Sequence, residues 1–241
     1  MQCAPSLPEE PNVNSPSTPT LVDINPARTA LLVIDMQRDF CAPGGYAEKA
    51  GLNVSLLREP IPAISSLLNA ARGCGMLVVY TREGHRRDLS DCAPTKMARS
   101  RQARAPIGSE GPIGKLLIRG EYGHGIVDEL APKPGEPIVD KPGYGAFYQT
   151  DLEIVLRSRD IHQLILTGVT TEVCIQSTLR EAVDRGFECI TVADGCASAY
   201  PDLHAASLAM IQVEGGILGR VQTTAELLQS LEYPPTNEAC Q

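Results

Sequence analysis

Apolar residues occur along this chain in two patterns. In the first, a run of apolar and β-branched residues is continuous and closes on a polar one. Six stretches read this way: TALLVIDM (29–36), MLVVYTRE (76–83), EPIVDK (136–141), HQLILTGV (162–169), ECITVADGC (188–196) and the short GRVQ (219–222). A strand apolar on both faces belongs inside a parallel sheet that is covered on both sides. In the second pattern apolar residues recur at helical spacing. SLLREPIPAISSLLNAARGCG (55–75) stops at a glycine, and TDLEIVLRSRD (150–160) has Thr150 as its expected cap. The segment carrying Cys174, then PDLHAASLAMIQVEGG (201–216) with Pro201 in its first turn, and TTAELLQSL (223–231) complete the set.

Strands alternating with helices imply βαβ units. The expected fold is a single-domain, three-layer α/β/α sandwich around a mainly parallel six-stranded sheet. Ligands of such folds bind beyond the carboxyl ends of the strands, where the topology switches. Asp35, Lys141 and the turn before Cys174 all lie at strand carboxyl ends, so three residues distant in sequence become candidates for one cleft. Residues 84–123 are rich in Gly, Pro and Arg and lack periodicity. They read as a long excursion with a short strand at GKLLIRG (114–120), of the kind that serves function or subunit contact.

Composition narrows the domain and its partners. The first stretch, MQCAPSLPEEPNVNSPSTPT, is rich in Pro and Ser and acidic. We expect residues 1–25 to form a loosely ordered arm, 26–233 the folded domain and 234–241 a tail. The formal net charge of −8 argues against nucleic acid or an anionic membrane as partner. No apolar run approaches a membrane span. The eight cysteines are scattered, with no CxxC pair and no secretory pattern. That suits reduced thiols and a cytoplasmic protein rather than a disulfide framework.

A thiol, an ammonium and a carboxylate at one sheet edge have a specific use. Cysteine attacks as thiolate. A helix N-terminus near Cys174 and the charge of Lys141 would both favour that anion. Asp35 would take the thiol proton and return it to a leaving amine, and backbone N–H groups from Thr170 to Cys174 would hold an oxyanion. Each residue also has a plain reading: a packed core thiol, a strand-end turn aspartate, a solvated loop lysine before Pro142.

Three segments together resemble the isochorismatase-like cysteine hydrolases: LLVIDMQRDF (31–40), VDKPGYGAF (139–147) and LTGVTTEVCIQST (166–178). The resemblance runs from about residue 27 to residue 232. It implies a catalytic triad of Asp35, Lys141 and Cys174, an oxyanion hole from the backbone amides of Thr170 and Cys174, and a cis peptide at Val169–Thr170. The metal-dependent nicotinamidases of that superfamily carry an Asp-x-His…His site after the second strand. Here YTREGHRRDLSD offers only His85, too few ligands for a metal, so no metal and no other cofactor is expected. Members that cleave a vinyl ether lack the cysteine, so its presence points to amide hydrolysis.

DFCAPGGY, TREGHRRDL, IRGEYGHGIVDEL and DKPGYGAF are most similar to the members acting on biuret and triuret, and less so to ureidoacrylate amidohydrolases. The biuret enzymes have a glutamine before the paired glycines where this chain has Glu214. An ionised carboxylate only accepts hydrogen bonds, so Glu214 is expected to select the longer, N–H-richer triuret. The expected substrate is thus a small neutral ureide. Phe40, Phe147, Tyr148 and Gln212 are further candidate contacts, and Cys41 reads as a packing residue. The resemblance also implies a homo-oligomer, a tetramer. Biuret hydrolysis, ureidoacrylate hydrolysis and an inactive scaffold on the same fold are the alternatives.

Overall fold

The continuous apolar blocks become one sheet in the computed structural model, which describes residues 22–232. The strands are β1 (Thr29–Ile34), β2 (Leu77–Glu83), β5 (Ile138–Lys141), β6 (Gln163–Val169), β7 (Glu188–Ala197) and β8 (Arg220–Gln222). Two short strands, β3 (Glu110–Gly111) and β4 (Gly114–Lys115), pair antiparallel in the 84–123 excursion. That ribbon is all that forms of the strand expected over GKLLIRG. The helices are α1 (Arg38–Cys41), α2 (Tyr46–Lys49), α3 (Val54–Arg58), α4 (Ile61–Gly73), α5 (Pro94–Gln102), α6 (Leu152–Arg157), α7 (Gln176–Asp184), α8 (Pro201–Ile211) and α9 (Thr224–Glu232).

The large sheet has the order β5-β2-β1-β6-β7-β8, and every pairing in it is parallel. The chain builds outward from β1 to β5, then returns to β1's other side at β6. The switch point therefore lies between β1 and β6. Alternate strand residues feed two cores. Leu31, Val33, Val78, Tyr80, Ile165 and Ile190 pack with α4 and Leu227 of α9 on one face. Ala30, Leu32, Ile34, Val79, Leu164 and Leu166 pack with α6 and α7 on the other. The three expected layers follow directly from this period of two.

Several expectations change in detail. The helix over 55–75 is two helices, because Pro60 lacks an N–H and caps α4 instead of continuing α3. The helix over 201–216 ends at Ile211, since Glu214, Gly215 and Gly216 all have positive φ (51°, 78° and 90°). Thr150 accepts from the Leu152 N–H at 3.3 Å, one residue before the N-cap position of α6. Most of the expected arm and all of the tail lie outside the described residues. Val22 and Ile24, placed in that arm, are instead buried in the first core, and the Val22 N–H donates to Ser230 Oγ at 3.2 Å. Among the described residues no helix is long and apolar enough to cross a membrane.

One glycine fixes the switch point. Gly168 has φ 118°, and a Cβ there would lie 2.0 Å from the Ile34 carbonyl oxygen, one residue before Asp35. Neither backbone can yield at the centre of the sheet. Gly168→Ala should lower stability in urea unfolding by about 3 kcal/mol or more. Gly51→Ala, where φ is 80° and nothing lies within 4 Å, should lower it by only about 1 kcal/mol. Equal losses would show that the close approach does not matter.

Candidate active site

Four adjacent strand ends converge at the switch point. Asp35 follows β1 with φ 54° and is fully buried. Its N–H donates to the Thr81 carbonyl at 3.2 Å, and Thr81 Oγ1 donates to Asp35 Oδ1 at 2.7 Å. Glu83 ends β2 and Lys141 ends β5, directly opposite each other in register. Lys141 Nζ lies 2.8 Å from Asp35 Oδ2 and donates to the carbonyls of Gly143 and Tyr144 at 3.0 and 2.9 Å. It is also 3.6 Å from both Cys174 Sγ and Glu83 Oε2. The sulfur in turn lies 3.6 Å from Glu83 Oε2 and within 4.8 Å of an Asp35 carboxylate oxygen. Asp35, Lys141 and Cys174 are thus brought together, as expected.

Glu83 was not singled out in the sequence, although it too ends a continuous apolar strand. Its place is fixed by Gln37, whose Oε1 accepts from the Glu83 N–H at 2.7 Å and whose Nε2 donates to the Glu83 carbonyl at 2.9 Å. Lys96 of α5 pairs with Glu83 Oε1 at 2.7 Å. Asp35, Glu83 and Cys174 form the kind of donor set that could hold a metal ion. The Lys141 ammonium contacts all three, and so supplies the positive charge a cation would bring there. His85 faces Asp91, with Nδ1 at 3.2 Å from Oδ1, and burial holds its pKa below the usual value.

The electrostatics differ from expectation at the thiol. Burial pushes the Cys174 thiol well above its ordinary pKa; Lys141 pulls it down, and Asp35 and Glu83 push it up again. The net direction is upward, where Lys141 and a helix terminus alone would have lowered it. Two things invisible in the sequence explain this: complete burial and a second carboxylate. The local backbone differs too, because Cys174 occupies a π-helical turn, Thr171–Ile175, ahead of α7. The N–H groups of Val173 and Ile175 both turn back to the Thr170 carbonyl at 3.2 Å. The Val169–Thr170 peptide is cis. Lys141 is held above its ordinary value: burial lowers it, but Asp35, Cys174 and Glu83 outweigh that. Glu83 is raised by burial, and the charges of Lys141 and Lys96 with the Lys96 hydrogen bond bring it below the usual value.

A cavity of about 380 Å³ opens over the sulfur. Phe40, Leu52 and Val173 form its apolar wall, Tyr46, Tyr144 and Tyr200 surround it, and Thr170, Glu83 and Glu172 supply polar atoms. The Phe40 and Tyr46 rings meet edge-on with centroids 5.8 Å apart. Asp39 holds that wall by accepting from the N–H groups of Tyr46 and Leu117, and burial pushes its carboxyl up to about 6.

Of the five expected substrate contacts, only Phe40 lines this cavity. Phe147 is a core residue, its ring centroid 5.8 Å from that of Phe187. Tyr148 is 54 % exposed and lies over Gly143, outside the cavity lining. Gln212 and Glu214 are exposed in the left-handed turn after α8, and neither belongs to the lining. The expectation for Glu214 rested on the resemblance to the biuret enzymes; in this chain its backbone is left-handed, with φ 51°. Cys41 packs as expected, donating to the Leu57 carbonyl, with burial pushing its thiol up to about 12.

A parallel α/β sheet with a buried thiol, an ammonium and two carboxylates at its switch point is the architecture of a cysteine hydrolase. The family model for the isochorismatase domain matches residues 29–226, and the chain belongs to that family. A cysteine hydrolase from Pseudomonas syringae pv. phaseolicola 1448A is 33% identical, with a TM-score of 0.74, over 88% of this chain and 95% of that one. An isochorismatase family protein from Desulfovibrio vulgaris subsp. vulgaris str. Hildenborough is 28% identical, with a TM-score of 0.69, over 85% and 96%. N-carbamoylsarcosine amidase from Thermoplasma acidophilum shares the fold at 22% identity and a TM-score of 0.62, over 82% and 96%.

The charge pattern predicts the titration of the sulfur. Alkylation of Cys174 by iodoacetamide, followed by peptide mass spectrometry, should be slow at pH 7. It should quicken about tenfold per pH unit toward pH 9, because the thiolate fraction limits it. Fast labelling independent of pH would contradict the assigned electrostatics.

Proposed function

We propose that the protein is a cysteine-dependent amidohydrolase that cleaves a terminal C–N bond of a small linear ureide. The observation that carries this reading is the contact of one buried ammonium with both a carboxylate, at 2.8 Å, and a thiol sulfur, at 3.6 Å. Asp35 accepts the proton of Cys174, and the sulfur attacks a terminal ureido carbonyl. Lys141 balances the negative charge as it moves from carboxylate to sulfur. Backbone amides of Thr170 and Cys174 take the oxyanion; each such donor is worth about 3 kcal/mol of barrier. Asp35 then protonates the departing nitrogen, ammonia leaves, and an acyl group remains on the sulfur. Water, deprotonated by Asp35, releases that acyl group and restores the thiol.

Within this class we read the substrate as triuret, with carboxybiuret as the first product, which loses carbon dioxide to give biuret. Two features support a neutral, N–H-rich chain. The cavity has the size range of small-ligand pockets, and no cationic side chain is among its lining residues. Glu172 and Glu83 both face it, and Glu172 Oε2 is buried without a hydrogen-bond partner. A carboxylate accepts and cannot donate, so it favours an N–H at the far end of the substrate and disfavours a carbonyl or an acid. Glu172 is in this reading the carboxylate that selects the N–H-rich chain. Self-association into a tetramer is part of this reading. Leu203, Met210, Val213 and Ile217 are exposed on α8 and the segment after it, which supports a covered face.

Ammonia release from triuret and from biuret by the purified protein tests the substrate. We expect faster release from triuret, and a strong preference for biuret would overturn that choice. Cys174→Ser should keep the wild-type circular dichroism spectrum and lose turnover by at least about a thousandfold. Retained turnover would remove Cys174 from the reaction.

A further inference from the structure

The buried cluster has a charge balance that the triad alone does not meet. Asp35 and Glu83 bring two carboxylates and Lys141 one ammonium. Moving a proton off Cys174 adds a negative charge in a place with little water to screen it. Lys96 enters from outside the triad. It stands on α5, a helix of the long excursion, and its side chain is only 9 % exposed. Nζ pairs with Glu83 Oε1 at 2.7 Å and donates to the Pro142 carbonyl, the residue after Lys141, at 2.6 Å. It also lies 4.8 Å from the centroid of the Tyr144 ring, which lines the cavity. One ammonium therefore ties together the end of β2, the loop after β5 and a wall of the cavity.

The remaining titratable groups around this pair do not replace it. His85 faces both Glu83 and Lys96, but burial and the Lys96 charge hold its pKa below the usual value, and Asp91 pairs with it. Asp39 and Tyr46 face Glu83 from α1 and α2 and bring no positive charge. Cys92 faces Lys96 from the loop before α5 and is also pushed up by burial.

We propose that Lys96 is a positioning residue for the reaction: its ammonium neutralises Glu83, so that Lys141 is left to balance the charge shared by Asp35 and Cys174. This rests on the reading of Cys174 as the attacking group. Its consequence is that the excursion, through α5, sets the ionisation of a sulfur it does not touch.

The test is the alkylation rate of Cys174 at pH 8 in folded full-length protein, read by peptide mass spectrometry, beside the pH profile of kcat/KM. Lys96→Met should slow alkylation at least about tenfold and move the profile to higher pH. Lys96→Arg should restore both. Removing the carboxylate as well, in Lys96→Met with Glu83→Gln, should return the alkylation rate to within about threefold of wild type, because the net charge is again balanced. Glu83→Gln alone should quicken alkylation, since it removes a carboxylate 3.6 Å from the sulfur; where Lys96→Met does not fold, Lys96→Gln takes its place. A merely structural Lys96 would leave the double variant as slow as Lys96→Met, and that result overturns the proposal. Alkylation needs no substrate, so a wrong substrate or loss of turnover leaves this readout intact. If Cys174→Ser kept its turnover, the hydrolytic reading would fail while the charge coupling could still stand.

Discussion

The Lys141 ammonium has no solvent exposure, and everything at the sheet's edge is arranged around it. Burying a lysine that stays charged costs several kcal/mol unless its donors are satisfied. Here they are met by the Asp35 carboxylate and the carbonyls of Gly143 and Tyr144, with the Glu83 carboxylate and the Cys174 sulfur each 3.6 Å away. Such a site holds opposite charges close without water between them.

The topology makes that arrangement possible. β1 is central, so its carboxyl end neighbours both β2 and β6, and β5 lies one strand further out. Asp35, Glu83, Lys141 and the Thr170–Cys174 turn each come from a different strand end. Gly168 lets the turn begin close against β1, since any side chain there would meet the Ile34 carbonyl. Backbone fit at the switch point and side-chain chemistry above it are therefore coupled. α1 and α2 then roof the site with Phe40 and Tyr46, and Asp39 fixes them by its two backbone bonds.

Much of this was legible in the residues. Continuous apolar runs identified all six long-sheet strands, and their polar last residues located Asp35 and Lys141. Glu83 carries the same signal, a charged residue closing a continuous apolar strand. Lys96 carried none: α5 buries only Lys96 and Ser100, so it has no apolar stripe to betray a helix. The left-handed backbone of Glu214, which ends the expected helix before its glycines, has no signal in the residues, because glutamate rarely adopts positive φ. The thiol was judged by its neighbours' charges, whereas burial dominates, and burial is a property of the fold rather than of the local sequence.

The most direct test of the account is whether the sulfur becomes covalently acylated during turnover. Acid-quenching the protein within its first turnovers of triuret, digesting it and weighing the peptides should reveal an adduct on the peptide bearing Cys174. Its mass should be that of triuret less ammonia. An unmodified Cys174 peptide at a time when ammonia has already formed in stoichiometric amount, or an adduct on any other residue, would contradict it.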